Sequence, residues 1–288
     1  MCGIAGVYGY CDAGAIERML AAMAHRGPDA MGVWVDAEGR IAIGNVRLSI
    51  LDLSRRADMP MLSEDGRLCI TYNGEIYNFK DIRRELERKG YKFFSNSDTE
   101  VILKSYVEWG KDCLMKLNGM FAFAIWDIRK GRLFLARDRF GIKPLYWSRS
   151  GKKVVFASEL KGILASGIID KRLDKQALWD YLSLGCVPPP ETMIEGVHSL
   201  LPGHAMTVDE GGIDIWNYWD IEEAARKVDI PNDEDEILNV LRFKLEESLR
   251  RHMIADVEVG VFLSGGMVLQ PSPTWRRIAL TSPYARFP

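Results

Sequence analysis

The chain reads as an α+β protein, two groups of β-strands with helices packed outside them. Three observations predict this. Short apolar runs at Gly3 to Tyr8, Met31 to Val35, Ile41 to Asn45 and Leu68 to Tyr72 have the length and composition of strands. Further runs, Met120 to Trp126, Arg132 to Ala136, Leu145 to Trp147 and Val154 to Ala157, are separated by short Gly- or Asp-containing turns, which suits an antiparallel meander and not alternating βαβ units. Between and after them stand stretches with helical apolar periodicity.

The first strand is rich in small and β-prone residues and broken by Gly9, so residue 2 sits at a strand tip. Ile16, Met19, Leu20 and Met23 fall at i, i+3, i+4 and i+7, one stripe of a helix that Gly27 and Pro28 end. A loop from His25 to Asp29 follows. Turn residues 36–39 join the next two strands in a hairpin. The strand from Leu68 empties into a loop at Asn73, Gly74 and Glu75, ahead of a helix from Phe79 to Lys89 with Phe79, Ile82 and Leu86 on one face and Gly90 beyond its end. Ser97 and Glu100 have the spacing of a capping box, which sets Asp98 in the first turn of the next helix. After the meander, a capped helix runs over 174–184, Pro188 to Pro190 impose an extended segment, and strands continue to Trp219. The charged stretch 221–235 reads as linker, and Ile237, Leu238, Leu241, Leu245 and Leu249 mark a helix over 237–252. The expected divisions are a domain over 1–217, a linker over 218–235 and the start of a second domain over 236–266.

A hydrophobic fraction of 47% over 288 residues is enough for one large domain or two smaller ones. The formal net charge of −2 gives no reason to expect nucleic acid or a membrane surface as partner, which leaves small-molecule chemistry. Five scattered cysteines, with no CxxC pair and no histidine at ligand spacing, indicate a reducing compartment and no metal site. No basic leader and no apolar run of about 20 residues is present, so a soluble, cytoplasmic protein is expected.

Cys2 acquires chemistry once Met1 is removed, which a small second residue permits. Its own α-amino group, with a pKa of about 8, then serves as the base that activates its thiol. By itself a cysteine at position 2 is uninformative. However, Cys2 to Val7 (Cys-Gly-Ile-Ala-Gly-Val), His25 to Asp29 (His-Arg-Gly-Pro-Asp), Arg47 to Ile50 (Arg-Leu-Ser-Ile) and Asn73 to Asn78 (Asn-Gly-Glu-Ile-Tyr-Asn) resemble, in order and spacing, the glutaminase domain of class II glutamine amidotransferases. Asp98 within Ser-Asp-Thr-Glu, the run Gly119 to Ala124 and the run Arg137 to Tyr146 extend the resemblance to asparagine synthetases, over about residues 2–266.

The resemblance implies an N-terminal-nucleophile fold, an αββα sandwich of two antiparallel sheets. It implies that Cys2 attacks the side-chain amide of glutamine, giving an oxyanion and then a γ-glutamyl thioester that water hydrolyses, with ammonia released. Asn73 and Gly74 would hold the oxyanion, a task for a side-chain amide and an unobstructed backbone N–H; read alone they are a glycine turn and an asparagine that stabilises it. Free glutamine carries an α-carboxylate and an α-ammonium, which call for a fixed cation and anion. By resemblance Arg47 takes the carboxylate, Asp98 with Glu75 near it takes the ammonium, and Leu48, Ser49, Ile50 and Leu51 belong to the same pocket. Alone, Arg47 also suits a surface ion pair, and Asp98 a carboxylate favoured by its helix dipole. His25 and Arg26 are expected to order the loop beside the nucleophile. His198, His204 and His252 are expected to be structural.

The run from Ala255 to Gly266 reads as a strand emptying into a Ser-Gly-Gly turn and resembles the start of the pyrophosphate-binding loop of ATP pyrophosphatases. Leu263, Ser264, Gly265 and Gly266 would there receive phosphates on backbone N–H groups. The family continues with one variable residue, Asp-Ser and a helix, whereas this chain has Met267, Val268, Leu269, Gln270 and then Pro271 and Pro273, which forbid the helix. Adding one A after the first G of the Val268 codon permits Met-Asp-Ser-Ser-Ala-Val, so residues 267–288 are expected to be a frameshifted tail and the second domain truncated.

The implied function is the glutamine-hydrolysing half of an asparagine synthetase. In a full-length parent, ammonia would amidate aspartate activated by Mg-ATP as β-aspartyl-AMP, while the glutaminase step needs no cofactor. A homodimer is usual in that family. The alternatives are a sister ATP-dependent amidotransferase acting on another carboxylate such as a sugar acid, or a catalytically silent truncated fragment that binds glutamine without turnover. Amidotransferases with a phosphoribosyltransferase or sugar isomerase module share the first domain, but Val259 to Gly266 argues against them.

Overall fold

The structure, a computed structural model, describes residues 1–260. In chain order the first half comprises β1 (Gly3–Tyr8), α1 (Ala13–Ala22), β2 (Ala30–Val35), β3 (Ile41–Arg47), β4 (Met61–Leu62), β5 (Leu68–Ile76), α2 (Phe79–Arg88), α3 (Asp98–Trp109) and α4 (Cys113–Lys116). The second half comprises β6 (Gly119–Asp127), β7 (Arg132–Arg137), β8 (Tyr146–Ser150), β9 (Lys153–Ala157), α5 (Leu160–Ala165), α6 (Lys175–Leu184), β10 (Val197–Ser199), β11 (His204–Asp209), β12 (Gly212–Asn217), α7 (Ile221–Ala225) and α8 (Glu234–His252).

The strands form two six-stranded sheets, ordered β10-β8-β9-β1-β3-β2 and β12-β11-β7-β6-β5-β4, and every strand pairing is antiparallel. Strand alternation distributes the side chains among three apolar layers. Along β6, Ala122, Ala124 and Trp126 enter the layer between the sheets, with Ile4, Ile43, Leu133, Leu135 and Phe156. The residues between them, Phe121, Phe123 and Ile125, face outward into a second layer with Ile82, Leu86, Val101 and Ile102 of α2 and α3. On the other outer face, Ala5, Val7 and Ala157 meet Ile16, Met19 and Leu20 of α1 and Ile163 of α5. This αββα order is the sandwich expected. Each of the large side chains among these contributes about 1.5–3 kcal/mol through burial.

Several local expectations change. Asn73, Gly74 and Glu75 are not a loop: β5 runs on to Ile76, and these residues pair with Ala122, Phe121 and Met120 of β6. Ser97 does cap α3, accepting from the Thr99 N–H at 3.1 Å, but Glu100 does not complete a capping box. Its carboxylate takes the N–H groups of Phe94 and Ser95 instead, at 3.0 and 2.8 Å. His25 and Arg26 lie in a short 3-10 turn over Ala24–Arg26. The expected linker contains the five-residue α7, capped by Asp220. Over 255–260 the chain is coil and bend with one bridge residue at Val259, and the rest of the expected strand lies outside the described residues. Leu263, Ser264, Gly265 and Gly266, and the expected frameshifted tail over 267–288, lie outside the described residues.

Candidate active site

The antiparallel register Gly3↔Val46 sets Cys2, just ahead of β1, across from Arg47 at the end of β3. From the facing sheet, the end of β5 brings Asn73, Gly74 and Glu75 to the same place, and the N-terminus of α3 brings Asp98. Together they line a cavity of about 380 Å³, with Arg47, Leu48, Ile50, Leu51, Met120 and Lys143. That is the lower end of the range for small-molecule sites and suits a ligand of amino-acid size.

Cys2 Sγ lies 3.4 Å from the Leu48 N–H, which donates to it, and 3.6 Å from the Leu48 carbonyl oxygen. Burial pushes the thiol up from its ordinary value, against the Leu48 hydrogen bond and the neighbouring cations, so a base is needed to ionise it. Arg26 anchors the nucleophile's backbone: its Nε donates to the Cys2 carbonyl at 2.9 Å and its Nη1 to Glu159 Oε1 at 2.9 Å. His25 Nε2 sits 2.9 Å from the same Glu159 oxygen. Burial alone would raise the Glu159 carboxyl, but hydrogen bonds from Arg26, His25 and Lys161 outweigh it and hold the group below its ordinary value. Neither His25 nor Arg26 lines the cavity.

Asn73 is 1% exposed, and its Nδ2 is a buried donor with no partner among the described residues. An orphaned donor costs about 1–3 kcal/mol and calls for an acceptor that the cavity receives from elsewhere. At Gly74 the paired strand leaves no room for a side chain, because a Cβ there would collide with the Met120 carbonyl oxygen and lie 2.8 Å from Phe121 Cα. The requirement for glycine is thus the close approach of β6 rather than a turn.

Asp98 is 4% exposed. Its Oδ2 accepts from Tyr72 Oη at 2.7 Å and from the Ile76 N–H at 3.0 Å, two neutral donors. Burial raises its carboxyl despite those bonds. The position therefore favours a cationic ligand group. Glu75 is raised by burial as well, but Lys143 opposes the shift, and the lysine, lowered by its own burial, is supported in turn by Glu75.

Arg47 lines the cavity and is also the ion-pair residue that its sequence context alone allowed. Its Nη1 pairs with Asp58 at 2.7 Å, and its Nη2 donates to the carbonyls of Leu51 and Asp52 at 3.2 and 2.6 Å. It therefore braces the loop after β3 while its positive charge stays at the cavity. Ser49 is not among the lining residues, and its N–H is taken by Asp29 at 2.7 Å.

Sequence reasoning gave no role to Tyr72 or Lys143. Tyr72 stands directly before Asn73, on the strand whose alternation points it at Asp98. Lys143 lies inside the Arg137 to Tyr146 run, and its Nζ sits 3.4 Å from Met1 Sδ in the cavity wall. His252, expected to be structural, packs at a tilt on Tyr77 with ring centroids 4.2 Å apart, and His198 packs on Trp147. Among the described residues no cluster of His, Cys, Asp or Glu has the arrangement of a metal site, and no helix is long and apolar enough to cross a membrane.

Residues 1–219 match the family model for a glutamine amidotransferase domain, and residues 240–267 match the model for asparagine synthase. The chain is 38% identical over 274 residues to a glutamine-hydrolysing asparagine synthetase of Bacillus subtilis, covering 93% of this chain and 44% of that protein. It is 36% identical to the amidase chry2 of Gibberella zeae, covering 88% and 37%. The chain thus spans less than half the length of these relatives. Among solved structures, the glutamine phosphoribosylpyrophosphate amidotransferase of B. subtilis superposes with a TM-score of 0.58 at 21% identity, over 76% of this chain and 49% of that one, which shows a shared fold. The sandwich, the residues gathered around Cys2 and the match over three-quarters of its length converge: the chain belongs to the glutamine amidotransferase family, as a relative of the glutamine-hydrolysing asparagine synthetases.

Proposed function

We propose that the chain hydrolyses glutamine to glutamate and ammonia, with Cys2 as nucleophile. One observation carries the reading: the thiol, an amide donor at Asn73 and a carboxylate at Asp98, the last two without a partner of opposite character among the described residues, share one cavity of amino-acid size. Asp98 takes the substrate ammonium, with Glu75 adding to the negative field. Arg47 supplies positive charge for the α-carboxylate and holds the loop carrying Leu48, Ile50 and Leu51. Once Met1 is cleaved, the freed α-amino group accepts the Cys2 proton, and Sγ attacks the side-chain amide carbon. Asn73 Nδ2 and the Gly74 backbone stabilise the oxyanion. Its collapse breaks the C–N bond, the α-ammonium gives its proton to the leaving nitrogen as ammonia departs, and water then hydrolyses the thioester.

The step is complete with protein groups and water, so no cofactor enters it. In a longer protein, Leu263 to Gly266 would open a Mg-ATP site and the ammonia would go to aspartate held as β-aspartyl-AMP. The first domain would span 1–217, the linker 218–235 and the second domain begin at 236. The reading includes a cytoplasmic setting; all five cysteines are unpaired. The test is glutamate release from glutamine by the chain with Met1 removed, verified by mass spectrometry. Release abolished by Cys2→Ala is expected; no release by the processed parent would sink the proposal.

A further inference from the structure

Behind the cavity, the loop after β3 turns on Asp52, the one described non-glycine residue in the left-handed backbone region, with φ of +49°. Such a conformation persists where its surroundings over-determine it. Asp52 is gripped at three points. Its carbonyl accepts from Arg47 Nη2. Its carboxylate accepts from Ser54 N, Ser54 Oγ and Asn96 N at 3.1, 2.6 and 2.7 Å. Its N–H donates to Asp256 Oδ2 at 2.7 Å, across 204 positions of sequence.

Asp256 belongs to the segment that follows α8, the start of the second module. That segment is seated on the glutaminase body. The Asp256 N–H donates to the Ile50 carbonyl at 2.9 Å, closing a two-point clasp over Ile50 to Asp52. Ala255 is buried, and Ile254 packs against the same apolar cluster as Cys2 and Leu51. Ile50 and Leu51 are walls of the cavity. The Ser54 contacts come from within the loop and travel with it, whereas Arg47 at the end of β3, the Asn96 contact and the Asp256 clasp tie it to other elements, and of these only Asp256 comes from beyond α8.

We propose that Asp256 is a positioning residue for glutamine: from the second module it holds the Asp52 turn, so that the shape of the glutamine pocket depends on the docking of that module. The proposal rests on the glutaminase reading for the identity of the ligand. Losing one hydrogen bond to a largely exposed carboxylate should weaken glutamine binding about fivefold.

The test uses the full chain, with glutamine as probe and Cys2→Ala as background so that binding is measured without turnover. Asp256→Ala should raise the Kd for glutamine about fivefold and accelerate amide hydrogen exchange over residues 50–54. Asp256→Asn, whose amide oxygen still accepts from the Asp52 N–H, should recover much of both. Because Asp256 is exposed, neither variant threatens folding. Unchanged exchange in Asp256→Ala overturns the clasp, and faster exchange with unchanged Kd overturns its positioning role. A background chain that binds no glutamine overturns the inference together with its ligand. Glutamine binding that responds to Asp256 in a chain that releases no glutamate leaves the clasp standing and removes the glutaminase reading alone.

Discussion

Replacing Asn73 by alanine separates catalysis from stability. In most buried sites, deleting a polar group breaks a hydrogen bond that the fold uses; here Nδ2 has no partner among the described residues, so no such bond is lost. Relief of an orphaned donor, about 1–3 kcal/mol, offsets the loss of the side chain's packing, and the unfolding free energy should stay within about 1 kcal/mol of the parent. The transition state loses a donor aimed at its developing charge, which lowers kcat about 10²- to 10³-fold, or about 2.7–4 kcal/mol. The assay is steady-state glutamate release by chains with Met1 removed, paired with urea unfolding of the same samples. KM should change little, because the oxyanion does not yet exist in the ground state. A kcat within about threefold of the parent, or a stability loss above about 3 kcal/mol, would refute the assignment of Asn73 to the oxyanion.

Asp98 gives a pH signature. Its folded carboxyl is raised by burial, so the folded chain binds that proton more tightly than the unfolded one, and this group lowers stability as pH rises from the ordinary aspartate value through the raised one. A bound ammonium favours the carboxylate, so KM for glutamine should increase as pH falls through that window. Asp98→Asn should remove this dependence, raise KM at neutral pH at least about tenfold and stabilise the unliganded chain. A KM profile that Asp98→Asn leaves intact counts against the ammonium role. Gly74→Ala drives a Cβ into the β6 backbone and should cost about 1–3 kcal/mol in chemical unfolding, with glutaminase activity falling as the β5–β6 register gives way. Full activity and unaltered stability in that variant would mean the strands can part there freely.

Much of this molecule is legible in its sequence because the signals are local. The alternation Phe121, Ala122, Phe123, Ala124 announces a strand with large residues on one face and small ones on the other, and Ile16, Met19, Leu20 and Met23 announce a helix with one apolar stripe. Both follow from periods of 2 and 3.6 residues that any chain of this pattern obeys. The series of motifs from Cys2 to Asp98 identified the residues that share a cavity, though it also put Ser49 among the lining residues, where it is not found.

Local pattern and motif order were thus enough for most of the elements and the class of fold. Packing settled the rest, because the deciding contacts join residues far apart in the chain. Whether Asn73 to Glu75 are loop or strand depends on the hydrogen bonds offered by β6, well downstream of them. Glu100 leaves its capping box because two N–H groups at Phe94 and Ser95 compete for it better than the N–H of Ser97. Lys143 and Tyr72 join the site through packing alone. The clasp of Asp256 on Asp52, spanning 204 residues, has no trace in any local pattern. Periodicity and propensity act over a few residues; burial and electrostatics act over a few ångströms, and only the folded chain makes those two neighbourhoods coincide.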